Sequence, residues 1–314
     1  MTVQPDQVPA VTTTAGTTPP AKPFTVTQPG VYLGVSDDDY HRDPVPGGSL
    51  SSTGARDLLP PSCPALFRHK RDNPQPVKKV FELGHAAHTM MLGAGPGPVM
   101  IAGDSKSGPD VWNTNAVKEK VQRARAEGKV PLRPSDYERV QAMAAKLREH
   151  PVAAQLLKPG AGDPEASLFW VDPETRVKCR ARIDWLTRST GGPRLIVPDY
   201  KTCRSAAPDD LVKAIAEHGW HRQADWYQSG IRALGLHADP VVVFIAQEKE
   251  PPYLVTVAQP DPTALRIAAH LNREARHLYR SCTESGRWPG YSDDVALISL
   301  PGWVERQYEM ELSQ

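Results

Sequence analysis

The sequence predicts an α/β fold in which a mixed β-sheet is flanked by helices. Three observations predict it. Helical periodicity dominates the first half of the chain. Three strand-like runs then follow one another between residues 165 and 202. After them, helical and strand patterns alternate to residue 285.

Residues 1–29 are rich in Pro, Thr, Val and Gln, with almost no large apolar residue besides Phe24. Such a segment cannot bury enough surface to offset its ordering entropy, so a disordered tail is expected there and a single domain over 30–314. In "GVYLGVSDDDYH", Asp37, Asp38 and Asp39 read as a helix start or a solvated turn rather than a metal cluster. Ser51, Ser52 and Thr53 are N-cap candidates, and a proline break precedes a helix over Pro64–Lys70 whose end is basic (Arg68, His69, Lys70, Arg71). "KKVFELGHAAHTMML" reads as a helix with Leu83, Ala86, Ala87, Met90 and Met91 on one stripe. The glycine-rich "GAGPGPVM" after it lacks the Lys-Ser/Thr of a phosphate loop and opens no helix. Residues 100–135 look irregular or weakly helical and are charged. "SDYERVQAMAAKLREHPVAAQLL" is a helix, with Ser135 as its expected cap and Glu138 at the capping-box position.

The strands are "EASLFWVD", "RVKCRARIDWLT", "PRLIVPDYKT", "VVVFIAQE" and "PYLVTVAQ". "ETR" and "TRSTGGP" sit between the first three like hairpin turns. One helix is expected from about Pro208 to Leu234, and a long one closes the domain from Asp261 to Ser285. No internal repeat is present.

Bulk properties narrow the function. A net charge of +1 over 314 residues offers no whole-molecule attraction for nucleic acid, so any basic surface is local. No apolar run approaches the roughly 18 residues that cross a bilayer, and no charged start leads an apolar core as in a signal peptide. Cys63, Cys179, Cys203 and Cys282 are far apart with no CxxC pair, which argues against disulfides and a zinc knuckle. The expectation is a reduced, cytoplasmic protein that does not engage membranes.

The chemistry concentrates on two strands. At period two, Lys178, Arg180, Arg182 and Asp184 share one face, and Val177, Cys179, Ala181, Ile183 and Trp185 the other. In the next strand Asp199 and Lys201 share a face, about 7 Å apart, and Tyr200 points the opposite way. Both aspartates look like residues at C-terminal strand ends, which an antiparallel pair would put at opposite tips, so their approach is expected to need an extended or bent chain after Asp184. Pro198 inside the strand predicts a bulge or an end to pairing just before Asp199. Two carboxylates and a lysine suit phosphodiester hydrolysis. A divalent cation held by carboxylates activates water, and an ammonium orients that water or offsets developing charge. The cationic strand face suits a phosphate backbone. On spacing alone the short D-x-K pattern is better read as a surface ion pair worth under about 1 kcal/mol.

The ordered set "CRARIDWL", "VPDYKT" and "HRQADWYQSGI" resembles the motifs of the PD-(D/E)XK nuclease superfamily. With "LGHAAHTMML", "EASLFWVDPET", "FIAQEKEPPYLVTV" and "GRWPGY", the chain is similar over about residues 30–305 to the exodeoxyribonuclease VIII (RecE-type) branch and its phage relatives. The resemblance implies that His88, four residues after Gly84, joins Asp184, Asp199 and the Tyr200 carbonyl in holding Mg2+ or Mn2+, with Lys201 as the catalytic lysine. Gln223 and Tyr227 match a Q-x-x-x-Y pair over the site, Gln223 near the lysine or the DNA. Glu165 matches an acidic residue that binds a second ion or supports the first. Without the resemblance these are a partly buried helix histidine, an amphipathic helix face and a loop carboxylate. Arg180, Arg182, Arg68, Lys70 and Tyr227 are the candidate DNA contacts. The implied activity is 5′→3′ digestion of double-stranded DNA ends, feeding a single-strand annealing protein, by a ring-shaped homo-oligomer (trimer or tetramer). A superfamily endonuclease, a single-strand-specific exonuclease, an inactive DNA-binding scaffold on the same fold and a nucleotide-sized phosphoesterase are the alternatives. Cysteine placement predicts no iron–sulfur cluster.

Overall fold

The computed structural model describes residues 12–13, 24–73, 82–104, 106–188 and 191–312. In chain order these form β1 (Thr12–Thr13), β2 (Gly30–Leu33), α1 (Asp37–His41), β3 (Leu50–Ser51), α2 (Ser52–Asp57), α3 (Pro64–Asp72) and α4 (Glu82–Leu92). Next come β4 (Pro98–Met100), α5 (Asn115–Ala126), β5 (Val130–Leu132), α6 (Pro134–Glu149) and α7 (Pro151–Leu156). The last third holds β6 (Gly162–Val171), β7 (Lys178–Thr187), β8 (Leu195–Cys203), α8 (Pro208–His218), α9 (Trp220–Ala233), β9 (Pro240–Glu248), β10 (Val255–Ala258), α10 (Pro262–Ser285) and α11 (Gly302–Leu312).

The expected mixed α/β architecture is present, with its strands divided between sheets. One sheet has the order β1-β2-β6-β7-β3, a second β10-β9-β8, and β4 pairs with β5 apart from both. β6 and β7 form the antiparallel hairpin anticipated around "ETR". The second anticipated hairpin is absent. β8 runs parallel to β9 and shares no ladder with β7, although the two strands pack side by side. The two aspartates do not sit at opposite strand tips either. β7 continues beyond Asp184 to Thr187, and β8 starts at Leu195, so both aspartates lie inside their strands and meet without any bend.

Other departures have local causes. Helix α6 starts at Pro134 with Arg133 as its N-cap, so Ser135 is not the cap. Proline at the first turn forfeits only an N–H that has no helical partner. The helix expected over 208–234 breaks at Gly219, whose φ of 68° is left-handed and ends α8 before α9 turns away. The charged stretch after residue 100 contains a regular helix, α5, capped by Thr114. Packing begins earlier than residue 30. Val26 is buried with Val35, Tyr40, Val45 and Phe169, and Phe24 packs against them. The rest of the expected tail, residues 1–11 and 14–23, and the start of the "KKVFEL" helix lie outside the described residues.

Two cores meet at the sheets. The alternating apolar face of β7 (Cys179, Ala181, Ile183) joins Leu168, Trp170, Trp226, Ile231, Val242 and Phe244 in the larger one. Burying each such large side chain contributes roughly 1.5–3 kcal/mol. Helix α9 lies close because Gly230 has no Cβ; one there would come within 2.9 Å of the Trp170 ring. Trp226 Nε1 and the Tyr227 hydroxyl then donate to the carbonyls of Arg180 and Arg182, at 3.0 and 2.6 Å. These two carbonyls are two residues apart on β7, whose pairing with β3 covers only Cys179 and Arg180, and α9 satisfies them. The smaller core packs α4 (Ala86, Ala87, Leu92) against α6 (Val140, Met143, Leu147), Tyr200 and Ile245. That contact turns His88 toward the gap between β7 and β8.

Candidate metal and catalytic site

His88 stands next to buried Ala87 on α4, partly exposed. Its Nδ1 is 3.1 Å from Glu165 Oε1 and its Nε2 is 3.2 Å from Asp184 Oδ2. Ligand atoms of His88, Glu165 and Asp184 all lie within 4.8 Å of one another. Glu165 lies inside β6, where the ladder passes from Pro164↔Trp185 to Ala166↔Ile183 and so sets it opposite Asp184. Its φ of 53° takes it out of the ladder. Such a backbone costs of order 1–3 kcal/mol for a residue other than glycine and concentrates at functional sites.

Asp184 Oδ2 also accepts the backbone N–H of Tyr200 at 2.8 Å. The N–H and C=O of one strand residue point to the same side, so the Tyr200 carbonyl faces the same gap. The Tyr200 ring is buried on the other side, its hydroxyl donating to Gln247 Oε1 at 2.7 Å. Asp199 is fully buried, 0% exposed. Lys201 is ion-paired with its Oδ2, while Oδ1 has no hydrogen-bond partner among the described residues. An orphaned buried carboxylate oxygen is costly unless something else meets it, and a divalent cation is such a partner.

The titrations diverge as paired carboxylates in a confined site should. Burial would strip the His88 proton, but Asp184 and Glu165 hold it, up to about 9. Burial lifts Glu165 to about 7 despite His88. Burial, joined by the Asp184 charge, lifts Asp199 to about 7 against Lys201. Asp184 goes the other way. Burial opposes its charge, yet His88, Lys201 and the Tyr200 N–H hold it below the usual carboxylate range. Burial disfavours the Lys201 ammonium, but Asp199 and Asp184 keep it charged beyond its ordinary range. The imidazolium thus bridges two carboxylates, Glu165 and Asp184. Carboxylate oxygens, a backbone carbonyl and one imidazole nitrogen fit a hard divalent cation such as Mg2+ or Mn2+.

The residues anticipated as DNA contacts have partners within the chain. Arg180 is ion-paired with Asp43 at 2.9 Å and donates to the Ser49 carbonyl at 2.8 Å. Arg182 pairs with Asp37, lies 3.6 Å from Glu165 Oε2, donates to the Val35 carbonyl at 2.5 Å and covers the Tyr40 ring at 4.6 Å. Both guanidiniums are therefore engaged within the chain, so a phosphate contact from either would have to compete with these partners. The acidic run Asp37–Asp39, capped by Ser36, supplies one of those partners. Tyr227 is buried, its hydroxyl held between Gln223 Nε2 at 2.7 Å and the Arg182 carbonyl. Gln223 meets Tyr227 rather than Lys201. Arg68 and Lys70 are exposed and paired with Asp72 and Asp57, at 2.7 and 2.9 Å. Asp37 and Asp43 are the partners that sequence reasoning missed; nothing local marks a residue that neutralises a strand so distant in the chain.

The mixed sheets flanked by helices, with a D-x-K strand beside the strand that carries Asp184, are of the PDDEXK-like class. Within it, the chain belongs to the family described as PDDEXK-like domain of unknown function (DUF3799), whose model matches residues 63–301. Among solved structures, the chain is similar to a candidate exonuclease from Eubacterium rectale, at 10% identity and a TM-score of 0.55, over 87% of this chain and 98% of that one. At that identity the likeness concerns the fold. No curated protein matches the sequence significantly. Among the described residues, no helix is long and apolar enough to cross a membrane.

Proposed function

We propose that the protein is a divalent-metal-dependent deoxyribonuclease that hydrolyses DNA phosphodiester bonds. The observation that carries this reading is the convergence of His88, Glu165 and Asp184 within 4.8 Å, beside the buried, half-unpartnered Asp199. His88, Glu165, Asp184, Asp199 and the Tyr200 carbonyl are the groups that would hold the metal. When bound, Mg2+ or Mn2+ supplies Lewis acidity and lowers the pKa of water. The chain's own residues do the rest. Asp199 keeps the Lys201 ammonium in place, and Lys201 orients the attacking water or offsets charge on the phosphoryl oxygens. Arg182 holds Glu165 in the donor set. Gln223 and Tyr227 brace the β7 edge that carries Asp184. Arg68 and Lys70, in weak exposed pairs, can exchange their partners for phosphates.

The finer reading rests on the RecE-type resemblance. It is 5′→3′ digestion of double-stranded DNA ends in a bacterial cytoplasm, with the product passed to a single-strand annealing protein, by a ring-shaped homo-oligomer. The test is digestion of end-labelled linear duplex with Mg2+, beside a chelator control, the Asp199→Ala protein and a covalently closed circle. Mononucleotide release that requires the metal and Asp199 is expected. Equal cutting of the closed circle would overturn the end-directed reading, and metal-independent cleavage the whole of it.

A further inference from the structure

A second feature lies outside the site. Helix α5, strand β5 and the start of α6 enclose a cleft of about 610 Å3, lined by Trp112, Lys118, Gln122, Arg133 and Asp136, with Leu83 of α4 on its wall. Trp112 is fixed in place. Its Nε1 donates to the Ile101 carbonyl at 2.8 Å, and the Arg133 guanidinium lies over its ring at 5.5 Å. Lys118, Gln122 and Arg133 are exposed. Charge is concentrated here. The stretch from Trp112 to Arg133 carries six Lys or Arg against two Glu, a net +4 in a chain of net +1. Whatever attraction this protein exerts on a polyanion is therefore local, and this stretch is one of its sources.

An anchored aromatic ring beside exposed cations and an amide is the chemistry that receives a nucleotide. The base packs on the ring, the phosphates meet the cations, and the amide hydrogen-bonds. The cleft also has a physical connection to the catalytic strand. Leu83 lines it, and the adjacent Gly84 faces Thr202, whose Oγ1 is 3.7 Å from where a Cβ would stand. Thr202 follows Lys201 directly. Along α4, Leu83 and His88 are five residues apart, about 7.5 Å of helix rise.

We propose that this cleft binds a single strand of DNA, with bases against Trp112 and phosphates on Lys118 and Arg133, and leads that strand along α4 to or from the catalytic site. The proposal deepens the nuclease reading and rests on it.

The test uses full-length protein carrying Lys201→Ala and a fluorescein-labelled oligothymidylate, with affinity read by anisotropy across a salt series. Adding Lys118→Glu and Arg133→Glu, both at exposed positions, should weaken binding at least tenfold. It should also lower the slope of log affinity against log salt by about 1.4, two phosphate contacts on a single strand. Trp112→Leu should weaken binding while leaving that slope unchanged. Unaltered affinity in the double variant would overturn the proposal. So would displacement of the oligonucleotide by thymidine monophosphate at equal concentration, which makes the cleft a mononucleotide pocket. A blunt duplex that binds there more tightly than the single strand would overturn it too. Hydrolysis of bis(p-nitrophenyl) phosphate by the unsubstituted chain with Mn2+ runs alongside. Its failure counts against the nuclease chemistry, and the anisotropy series then decides the cleft by itself.

Discussion

Asp184 accepts the backbone N–H of Tyr200 at 2.8 Å, across a gap that β7 and β8 do not close with a ladder. The contact explains Pro198. Backbone groups alternate sides along a strand, so the nitrogen of Pro198, two residues before Tyr200, faces the same gap. β8 is an edge strand there, and its register with β9 passes unbroken through Pro198↔Val243. Proline therefore removes no ladder bond, and the bulge its presence suggested is not needed. The open edge is what lets a carboxylate from one sheet approach the D-x-K tripeptide of the other.

Lys201→Ala should lower cleavage of linear duplex by on the order of 10²–10³-fold, the usual cost of removing one group that stabilises transition-state charge. DNA affinity should hold. Single-turnover digestion of labelled DNA beside an equilibrium binding assay separates the two effects. An unchanged cleavage rate would remove Lys201 from the chemistry.

Arg182→Ala should weaken Mn2+ binding by about 10- to 100-fold, because the guanidinium orients Glu165 and ties it to Asp37. Titration calorimetry on the substituted protein measures this. Intact metal affinity with weakened DNA binding would instead restore the phosphate contact that the sequence suggested for this arginine.

Acidity should act on the metal-free protein in one direction over most of its range. His88 is raised to about 9, so its stabilisation is complete below its ordinary value near 6.5 and fades as pH climbs through 9. Asp199 and Glu165 are raised to about 7, so the folded state keeps protons that the unfolded chain has lost above about 4, and stability falls between those limits. Asp184 is lowered, so its contribution disappears only in acid, below its ordinary value of 3.8. Chelator-treated protein should therefore lose thermal stability from about pH 4 to 9. Apparent Mn2+ affinity should rise over pH 6–9, up to tenfold per pH unit for each proton released. Thermal melts and metal titrations at several pH values check both. Mn2+ affinity independent of pH would mean that none of these groups is a ligand.

Tyr227→Phe should cost about 1–3 kcal/mol of stability, since it strands the Arg182 carbonyl and takes the hydroxyl from Gln223. DNA affinity should not change. Denaturant melts with a parallel binding assay would show it. A loss of DNA affinity at unchanged stability would return Tyr227 to the interface.

Much of this site was legible before folding. The alternation in "RVKCRARIDWL" gave the buried and polar faces of β7 correctly, and the D-x-K spacing set Asp199 and Lys201 side by side with Tyr200 turned inward. Where the reading failed, the deciding contact was distant. Ser135 looked like a cap until Pro134 took the first turn. Nothing local showed that Arg180 and Arg182 meet Asp43 and Asp37 once β7 is set beside α1 and the turn that follows it.

By itself the sequence determined which residues share a strand face or a helix turn, because alternation and helical pitch are consequences of local backbone sterics that act within a few residues. The histidine, the aspartates and the lysine were named by their resemblance to the PD-(D/E)XK motifs, which the alternation only accommodates. Only the tertiary structure decided that β7 and β8 part instead of pairing, that Glu165 leaves its ladder to face His88, and that the strand's arginines are neutralised from α1 and its neighbouring turn. Those outcomes depend on which strand edges are covered and which charges meet across long chain separations, and no short stretch of residues carries that information.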